Sequence, residues 1–491
     1  MSKKVIVVGS GNAALCAGIA ALEGGAEVLM LEKADEALAG GNTKYTAGAM
    51  RFAYEGADDL LPLLKDTDDP RLENTDFGGY SKAKFAEDLL MFNGGRPMSP
   101  EQEKLIGDSL SAMQWLGGHG VKFEPIYNRQ SFEKNGRHIF WGGLTLAAEN
   151  EGVGLFDMEL AAFKRLGGAI RYCARVTGLV TNAGHVTGVR VGNEEIAADA
   201  VILACGGFEA NADLRRDWMG ANWAKAKVRG TPMNTGDGLL MAQDVNAQSY
   251  GLIDGCHATP MDLHMADFGG LDLPAGERKN YRKICYFLGI MINAKGERFV
   301  DEGKNFRNYT YAQFGKAVLD QPSHIAWQIF DAKVDHLLYG EYSFHDAHFV
   351  EADTLSGLVD QLEGVDRAGA QQTLNAYNAA VDETTPFDPT TLDGRSTQGL
   401  PLPKSNWAQK LDTPPFKAFP VTGGITFTYG GLKVDHDGRV LSLEDFPIGG
   451  LFAAGEMVGG VFFEGYPGGS GLTSGAVFGR TAGASAAAGL A

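Results

Sequence analysis

Basic charge is scarce in this chain of 491 residues, where 43 lysines and arginines stand against 61 acids for a formal net charge of −18. Such a field disfavours nucleic acid and anionic lipid surfaces, although a local basic pocket can still take a small anion. Cysteine is scarce too. The five thiols, at 16, 173, 205, 256 and 285, have neither CxxC nor metal-ligand spacing, and the CxxCH of haem attachment is absent. Reduced, buried thiols are therefore expected. No apolar run reaches the roughly eighteen residues of a membrane span. Met1-Ser-Lys-Lys leads straight into an apolar stretch, which leaves no room for a signal peptide and makes a cytoplasmic location the expectation. Charged residues are 21% and hydrophobic ones 44%, an ordinary globular balance, and the length predicts two or three parts rather than one core.

Glycine is abundant instead, with 67 residues gathered in particular loops, as where a backbone closely approaches a large ligand. The clearest loop opens the chain. Lys4-Val-Ile-Val-Val8 is a short β-branched run, as a strand buried on both faces requires, and Gly9-Ser-Gly-Asn-Ala-Ala14 follows at once. Leu15 to Leu22 is apolar with Gly24-Gly25 behind it, which predicts a helix and its stop, and Ala26 to Leu31 predicts a second strand. The sum is a Rossmann-like βαβ nucleotide unit in an α/β fold. Gly9 permits the tight turn, Gly11 admits a pyrophosphate beside Asn12 and Ala13, and Ala14 lets helix and strand lie close. Phosphates then meet the free N–H groups of the helix start. Glu32, followed by Lys33, can accept the ribose hydroxyls of an adenosine. Its position at the very start of the chain suits FAD.

A second glycine loop runs from Gly40-Gly41-Asn42-Thr43 to Gly48. The stretch 58–152 reads as irregular, apart from a helix from Pro100 to Gly118 with Ser99 as N-cap. Tyr127, Arg137, His138 and Trp141 are taken as a surface loop, with substrate contact as the lesser alternative. A hairpin is predicted from Val176 to Val191, an apolar strand closes on Cys205-Gly206-Gly207, and Asn234-Thr-Gly-Asp237-Gly238 opens another helix. From Asp254 to residue 423 aromatic, charged and proline residues become more frequent. This predicts an α+β cap domain, 254–423, inserted between two parts of the FAD-binding domain, 1–253 and 424–491, with substrate at the seam. Near the end a strand runs into Gly455-Glu456, and Gly468-Gly469-Ser470-Gly471-Leu472 opens a helix whose positive end can face a flavin.

In this order the stretches resemble the flavoprotein family of fumarate reductases and succinate dehydrogenases, with its relatives the tricarballylate and 3-ketosteroid dehydrogenases. The resemblance covers nearly the whole chain and implies an FAD-binding domain of glutathione-reductase type. It puts the 40–48 loop along the isoalloxazine ring, Val176, Cys205, Gly206 and Asp237 near the cofactor, and Glu456 at its ribityl side. Members with covalent FAD carry a histidine where this chain has Asn42, so non-covalent FAD is implied. His257 falls where fumarate reductases bind substrate with a histidine. Ile292 to Glu302, expected as strand, turn and strand, matches the family's Asn-x-x-Gly-x-Arg-Phe-x-x-Glu pattern. Tyr311-Ala-Gln-Phe-Gly315 takes the position of the ketosteroid dehydrogenases' catalytic tyrosine. Arg307, one helical turn earlier, competes with it as the counterpart of the fumarate reductases' proton-donating arginine, and a cation there would lower a tyrosine's pKa. The departures matter as well. Phe427 and Tyr466 stand where fumarate reductases keep a histidine and an arginine that clamp a carboxylate.

These residues imply an FAD-dependent dehydrogenase or reductase that makes or reduces a C=C bond next to a carbonyl or carboxyl group of a small molecule. Tyr466 would polarise the oxygen and Tyr311 act as base. The nearest resemblance is to tricarballylate dehydrogenase, and Arg278, Lys279, Arg282, Lys283 and Arg307 leave room for an anion. A steroid-like or other neutral ketone is the alternative, and a non-catalytic FAD-binding protein the alternative of another class. No motif identifies the electron partner.

Overall fold

The computed structural model describes residues 2–140, 143–271, 273, 281–338 and 340–489. Its first lobe is built on a sheet whose strands run in the order Arg439–Leu441, Pro447–Ala453, Ala200–Leu203, Lys4–Val8, Glu27–Leu31, Ala169–Arg171. All neighbours are parallel except the first two strands. Val5 to Val8 are buried at the centre, which is why that segment is apolar without alternation. The helix Asn12–Glu23 lies against the C-terminal helix Ser470–Ala488. The two are so close that a Cβ on Gly479 or Gly483 would collide with the backbone oxygens of Ala13 and Ala17. The two ends of the chain thus form one wall.

The second lobe is organised by one long strand, Phe416–Thr428, whose partners change along its length. Lys227–Val228 and Cys256–Asp262 pair with its C-terminal half, while Ile325–Phe330 and Val350–Ala352 pair with its N-terminal half. Ile290–Asn293 extends the sheet beyond Ile325–Phe330. A separate core holds this lobe together, with Ile292, Ile329, Leu374 and Tyr377 at its heart.

Several sequence expectations change. The stretch 58–152 is more ordered than expected: it contains the helix Lys82–Leu90, capped by Ser81, and strands of two to four residues, too short to show a period. The expected helix Pro100–Gly118 is present, with a capping box between Ser99 and Gln102. After Ile290–Asn293 a turn follows but no second strand, only an isolated bridge between Ile292 and Arg298. Glu302 takes the Met291 N–H at 2.8 Å and pairs with the Arg298 guanidinium, so a side chain does the work of a ladder. Cys173 is exposed and Cys205 half-buried, whereas Cys16, Cys256 and Cys285 are buried. Residue 424 falls inside a continuous strand, and Lys227–Val228, from before residue 254, joins the second lobe's sheet. Trp141, Arg278 and Lys279 lie outside the described residues. Among the described residues no helix is long and apolar enough to cross a membrane.

Candidate active site

A single cleft begins where Lys4–Val8 and Glu27–Leu31 end and runs to the seam between the lobes, the place where open α/β sheets bind ligands. Gly9, Gly11, Asn12, Ala13, Glu32 and Lys33 line its first part. Gly9 has φ 106°, and a Cβ there would collide with the Ala204 carbonyl, so the turn requires glycine. Glu32 is buried and accepts from Ser10 Oγ at 2.5 Å and from Ala34 N at 2.7 Å. Ser10 Oγ accepts in turn from Gly40 N at 3.1 Å. The acid is therefore fixed by its own neighbourhood. Lys33 pairs with Asp237 at 3.1 Å, and Arg175 takes the other Asp237 oxygen at 2.9 Å.

The middle of the cleft joins distant segments. Asn12 N donates to Thr43 Oγ1 at 2.9 Å, and Asn12 Nδ2 to Leu472 O at 2.8 Å. Asn42 Nδ2 donates to Glu209 Oε1 at 2.7 Å and to Thr426 O at 2.8 Å, while its Oδ1 accepts from Thr231 N at 2.9 Å. Gly41, Val176, Cys205, Gly206, Glu456, Gly469, Gly471 and Leu472 complete the wall. Gly40, Gly48 and Ser470 stand behind it. The two glycines hold left-handed turns at φ 109° and 64°, and Ser470 Oγ donates to Pro467 O at 2.7 Å.

Glu209, which sequence reasoning missed, shares this region with Glu456. Glu456 Oε1 accepts from Thr428 N at 2.6 Å and Thr428 Oγ1 at 2.9 Å, and Glu209 Oε1 accepts from Asn234 Nδ2 at 2.6 Å. Burial, and for Glu209 next the charge of Glu456, pushes both carboxyls above their usual range. Each of two such neighbours disfavours ionisation of the other. The available signal was an acid directly after the Gly206-Gly207-Phe208 turn.

The helices Asn12–Glu23 and Ser470–Ala488 both open on this cleft with glycine N-caps, Gly11 and Gly469, and neither has a side-chain cap or an acid in its first turn. Two positive helix ends, a buried acid beyond the first strand's loop and a glycine-paved floor fit the phosphates, adenosine and flavin of FAD.

At the seam the lining turns aromatic. Tyr311, on the helix Arg307–Leu319, and Tyr466, on the turn before the C-terminal helix, bring their hydroxyls to 2.8 Å. His257 and Phe427 are paired neighbours on Cys256–Asp262 and Phe416–Thr428. The His257 ring stands edge-on to Tyr311 and Tyr466, with centroids 5.0 and 4.9 Å away. Phe427 packs on Tyr466 at 5.2 Å. His257 is fully buried and, contrary to the expected substrate contact, does not line the cleft, and among the described residues neither ring nitrogen has a hydrogen-bond partner. Burial, then the charges of Arg229 and Arg282, holds its pKa well below the usual value, so the imidazole is neutral. Burial and the Tyr311 hydroxyl push Tyr466 well up, and it keeps its proton.

The cations at this end differ from those expected. Arg229, unmarked in the sequence, and Arg282 line the cleft, and their charges act on Tyr311. Burial, then Arg282, pushes Arg229 down to about 10. Arg282 pairs with Glu341 at 2.7 Å, but its Nε has no hydrogen-bond partner among the described residues. Arg307 also lines the cleft, yet its Nη2 donates to Arg129 O at 3.1 Å and its charge acts on Tyr286. A first-turn side chain can reach past the helix end, which spacing on the helix does not reveal. Lys283 is buried away from the cleft, 3.5 Å from Asp262. Tyr127 bonds Thr75 at 2.9 Å and packs on His138, and neither lines the cleft.

The model of a family described as an FAD binding domain matches residues 4–472. This chain belongs to that family. It is an FAD-dependent oxidoreductase of the CH–CH class. A probable fumarate reductase, Ifc3, of Shewanella frigidimarina is 29% identical over 99% of this chain and 74% of its own length. A 4-oxocyclohexanecarboxylate 2-dehydrogenase of Sinomonas cyclohexanicum is 27% identical over 97% of this chain and 92% of its own length. The 3-ketosteroid delta1-dehydrogenase of Sterolibacterium denitrificans shares the fold, with a TM-score of 0.73 over 99% of this chain and 100% of its own, at 21% identity.

Proposed function

We propose that this FAD-dependent oxidoreductase introduces, or in reverse reduces, the C=C bond α,β to the carbonyl of a small molecule that also carries a carboxylate. The Tyr311–Tyr466 hydroxyl contact at the cleft wall carries this reading. FAD, held without a covalent bond in the glycine-lined part of the cleft, would supply the two-electron oxidant for removal of a hydride from the β carbon. Tyr466, which keeps its proton, donates to the carbonyl oxygen and acidifies the α hydrogen. Tyr311 Oη takes the α proton, with the positive charges of Arg229 and Arg282 favouring the anion that forms. In the reductive direction the same oxygen returns the proton. Neutral His257, buried behind the cleft wall, packs edge-on against both tyrosines and supports their rings from the side away from substrate.

Arg282, with an unpartnered Nε, and Arg229 favour an anionic group on the substrate. Phe427 and Tyr466, where a carboxylate clamp would stand in a fumarate reductase, disfavour succinate and fumarate. A keto-carboxylate such as the one in the name of the Sinomonas relative meets both conditions and brings the ketone that Tyr466 would polarise, whereas a tricarboxylate such as tricarballylate meets both but has only carboxyl groups to offer Tyr466. The test is a panel of 4-oxocyclohexanecarboxylate, tricarballylate, a neutral cyclohexanone, succinate and fumarate, read by the visible absorbance of bound flavin and by dye-linked turnover. A carboxylate other than succinate or fumarate should bleach the flavin most rapidly. Robust fumarate reduction would overturn the reading of Phe427 and Tyr466.

A further inference from the structure

Tyr311 and Tyr466 approach one another from different lobes, so their 2.8 Å contact needs something to set it. We infer that Asp88 is the positioning residue for the pair, acting through one arm to each tyrosine. This rests on the reading of the two tyrosines as the reacting groups. Asp88 lies on the helix Lys82–Leu90, is fully buried and does not line the cleft. Its Oδ2 accepts from Tyr80 Oη at 2.8 Å and Tyr309 Oη at 3.0 Å and holds Arg51 by charge alone, 3.5 Å from an Nη1 that has no hydrogen-bond partner among the described residues. Its Oδ1 is 3.3 Å from Lys84 Nζ.

The first arm is Tyr309. It precedes Tyr311 by two residues on the helix Arg307–Leu319, and residues two apart on a helix point to different faces. The Asp88 bond therefore anchors the back of the helix while Tyr311 faces the cleft. The second arm is Arg51, itself buried, whose Nε donates to Gly468 O at 2.7 Å and whose backbone N donates to Gly469 O at 3.1 Å. Gly468 lies two residues beyond Tyr466, and a Cβ placed on it would be 3.3 Å from Tyr311 Oη. One carboxylate thus ties down the helix that carries one hydroxyl and the turn that carries the other. A buried ion pair is poor at adding net stability, and its removal leaves an unpaired charge. A network with most members bonded does, however, hold its neighbours in one arrangement. That is what a hydroxyl pair assembled across a seam requires.

Tyr309→Phe tests this, because it removes one oxygen and keeps the ring stacked near Phe92, 6.5 Å between centroids. Asp88→Asn is the second variant. In the holoenzyme, amide hydrogen exchange of residues 307–315 should speed up about tenfold in both, with residues 4–23 unchanged. With 4-oxocyclohexanecarboxylate as probe, Tyr309→Phe should slow flavin reduction at saturation by about tenfold or more and leave KM within about twofold. The double variant Tyr309→Phe/Tyr311→Phe should be no slower than Tyr311→Phe, since a positioning effect vanishes with the group it positions. Exchange within about twofold of the parent in both variants, or rate effects that multiply, would overturn the inference. A Tyr311→Phe enzyme of normal rate would sink the functional reading instead, while the exchange result still decides whether Asp88 holds the helix.

Discussion

At the dinucleotide end of the cleft, Ser10, Glu32, Ala34 and Gly40 bond one another across a short span, Ser10 to Glu32 being 22 residues. At the substrate end, Tyr311 meets Tyr466 across 155 residues, and among the described residues both His257 nitrogens and Arg282 Nε lack hydrogen-bond partners. The first end is complete without a substrate and suits a cofactor that stays. The second has in Arg282 Nε a donor on the cleft wall that suits an exchangeable ligand, because an unsatisfied buried donor or acceptor costs about 1–3 kcal/mol. The Asp88 network lies behind that second end and supplies rigidity the ligand-facing groups cannot give each other.

The largest effect that tests this contrast belongs to Tyr311. Tyr311→Phe should slow flavin reduction by about 10²–10⁴ and leave FAD content unchanged, as read by rapid mixing and by flavin released on denaturation. Loss of flavin would break the separation of the two ends. Glu32→Ala should do the opposite, weakening FAD binding by about 10–100-fold through lost charge-assisted bonds, with the remaining holoenzyme reduced at the normal rate. Released flavin should be intact FAD, and flavin left on precipitated protein would contradict non-covalent binding. Arg282→Gln should raise KM for a keto-carboxylate about tenfold and change a neutral ketone little. Equal losses for both would remove the carboxylate from the reading.

The smallest effect concerns the seam between the ends. Burial and the nearby Glu456 carboxyl raise Glu209 above its ordinary 4.5, so the folded protein keeps a proton that the unfolded chain gives up. Folded protein then binds more protons than unfolded, and this contribution to stability is full below pH 4.5 and falls as pH rises toward the raised value. Glu209→Gln removes that titration. Denaturant midpoints of the variant should gain on the parent between mildly acid and neutral pH, and a constant difference would show that Glu209 is ionised in the folded state.

The dinucleotide unit was legible because its signals are local. Lys4–Val8 forms as predicted, and the helix begins at Asn12, earlier than the Leu15 start that apolar periodicity suggests, since the glycine turn itself leads into it. The N-cap at Ser99 was readable for the same reason, whereas its capping box with Gln102 was not read. Tyr311 and Tyr466 could be nominated by likeness of their surroundings, but their contact could not. Arg229 and Glu209 went unread because nothing beside them in the chain marks their role.

By itself, the sequence determined the strand–glycine–helix–strand start, Glu32, the glycine-led C-terminal helix and a cofactor class, since each depends on residues within one or two turns of one another. Only the tertiary structure decided which cations face Tyr311, that Lys283 does not, that Asn42 bonds Glu209 and Thr426, and that Asp88 lies behind both tyrosines. Charge and hydrogen bonding act through space over a few ångströms, and the chain brings these groups that close only when the long strand Phe416–Thr428 and the helix Arg307–Leu319 are packed against the first lobe.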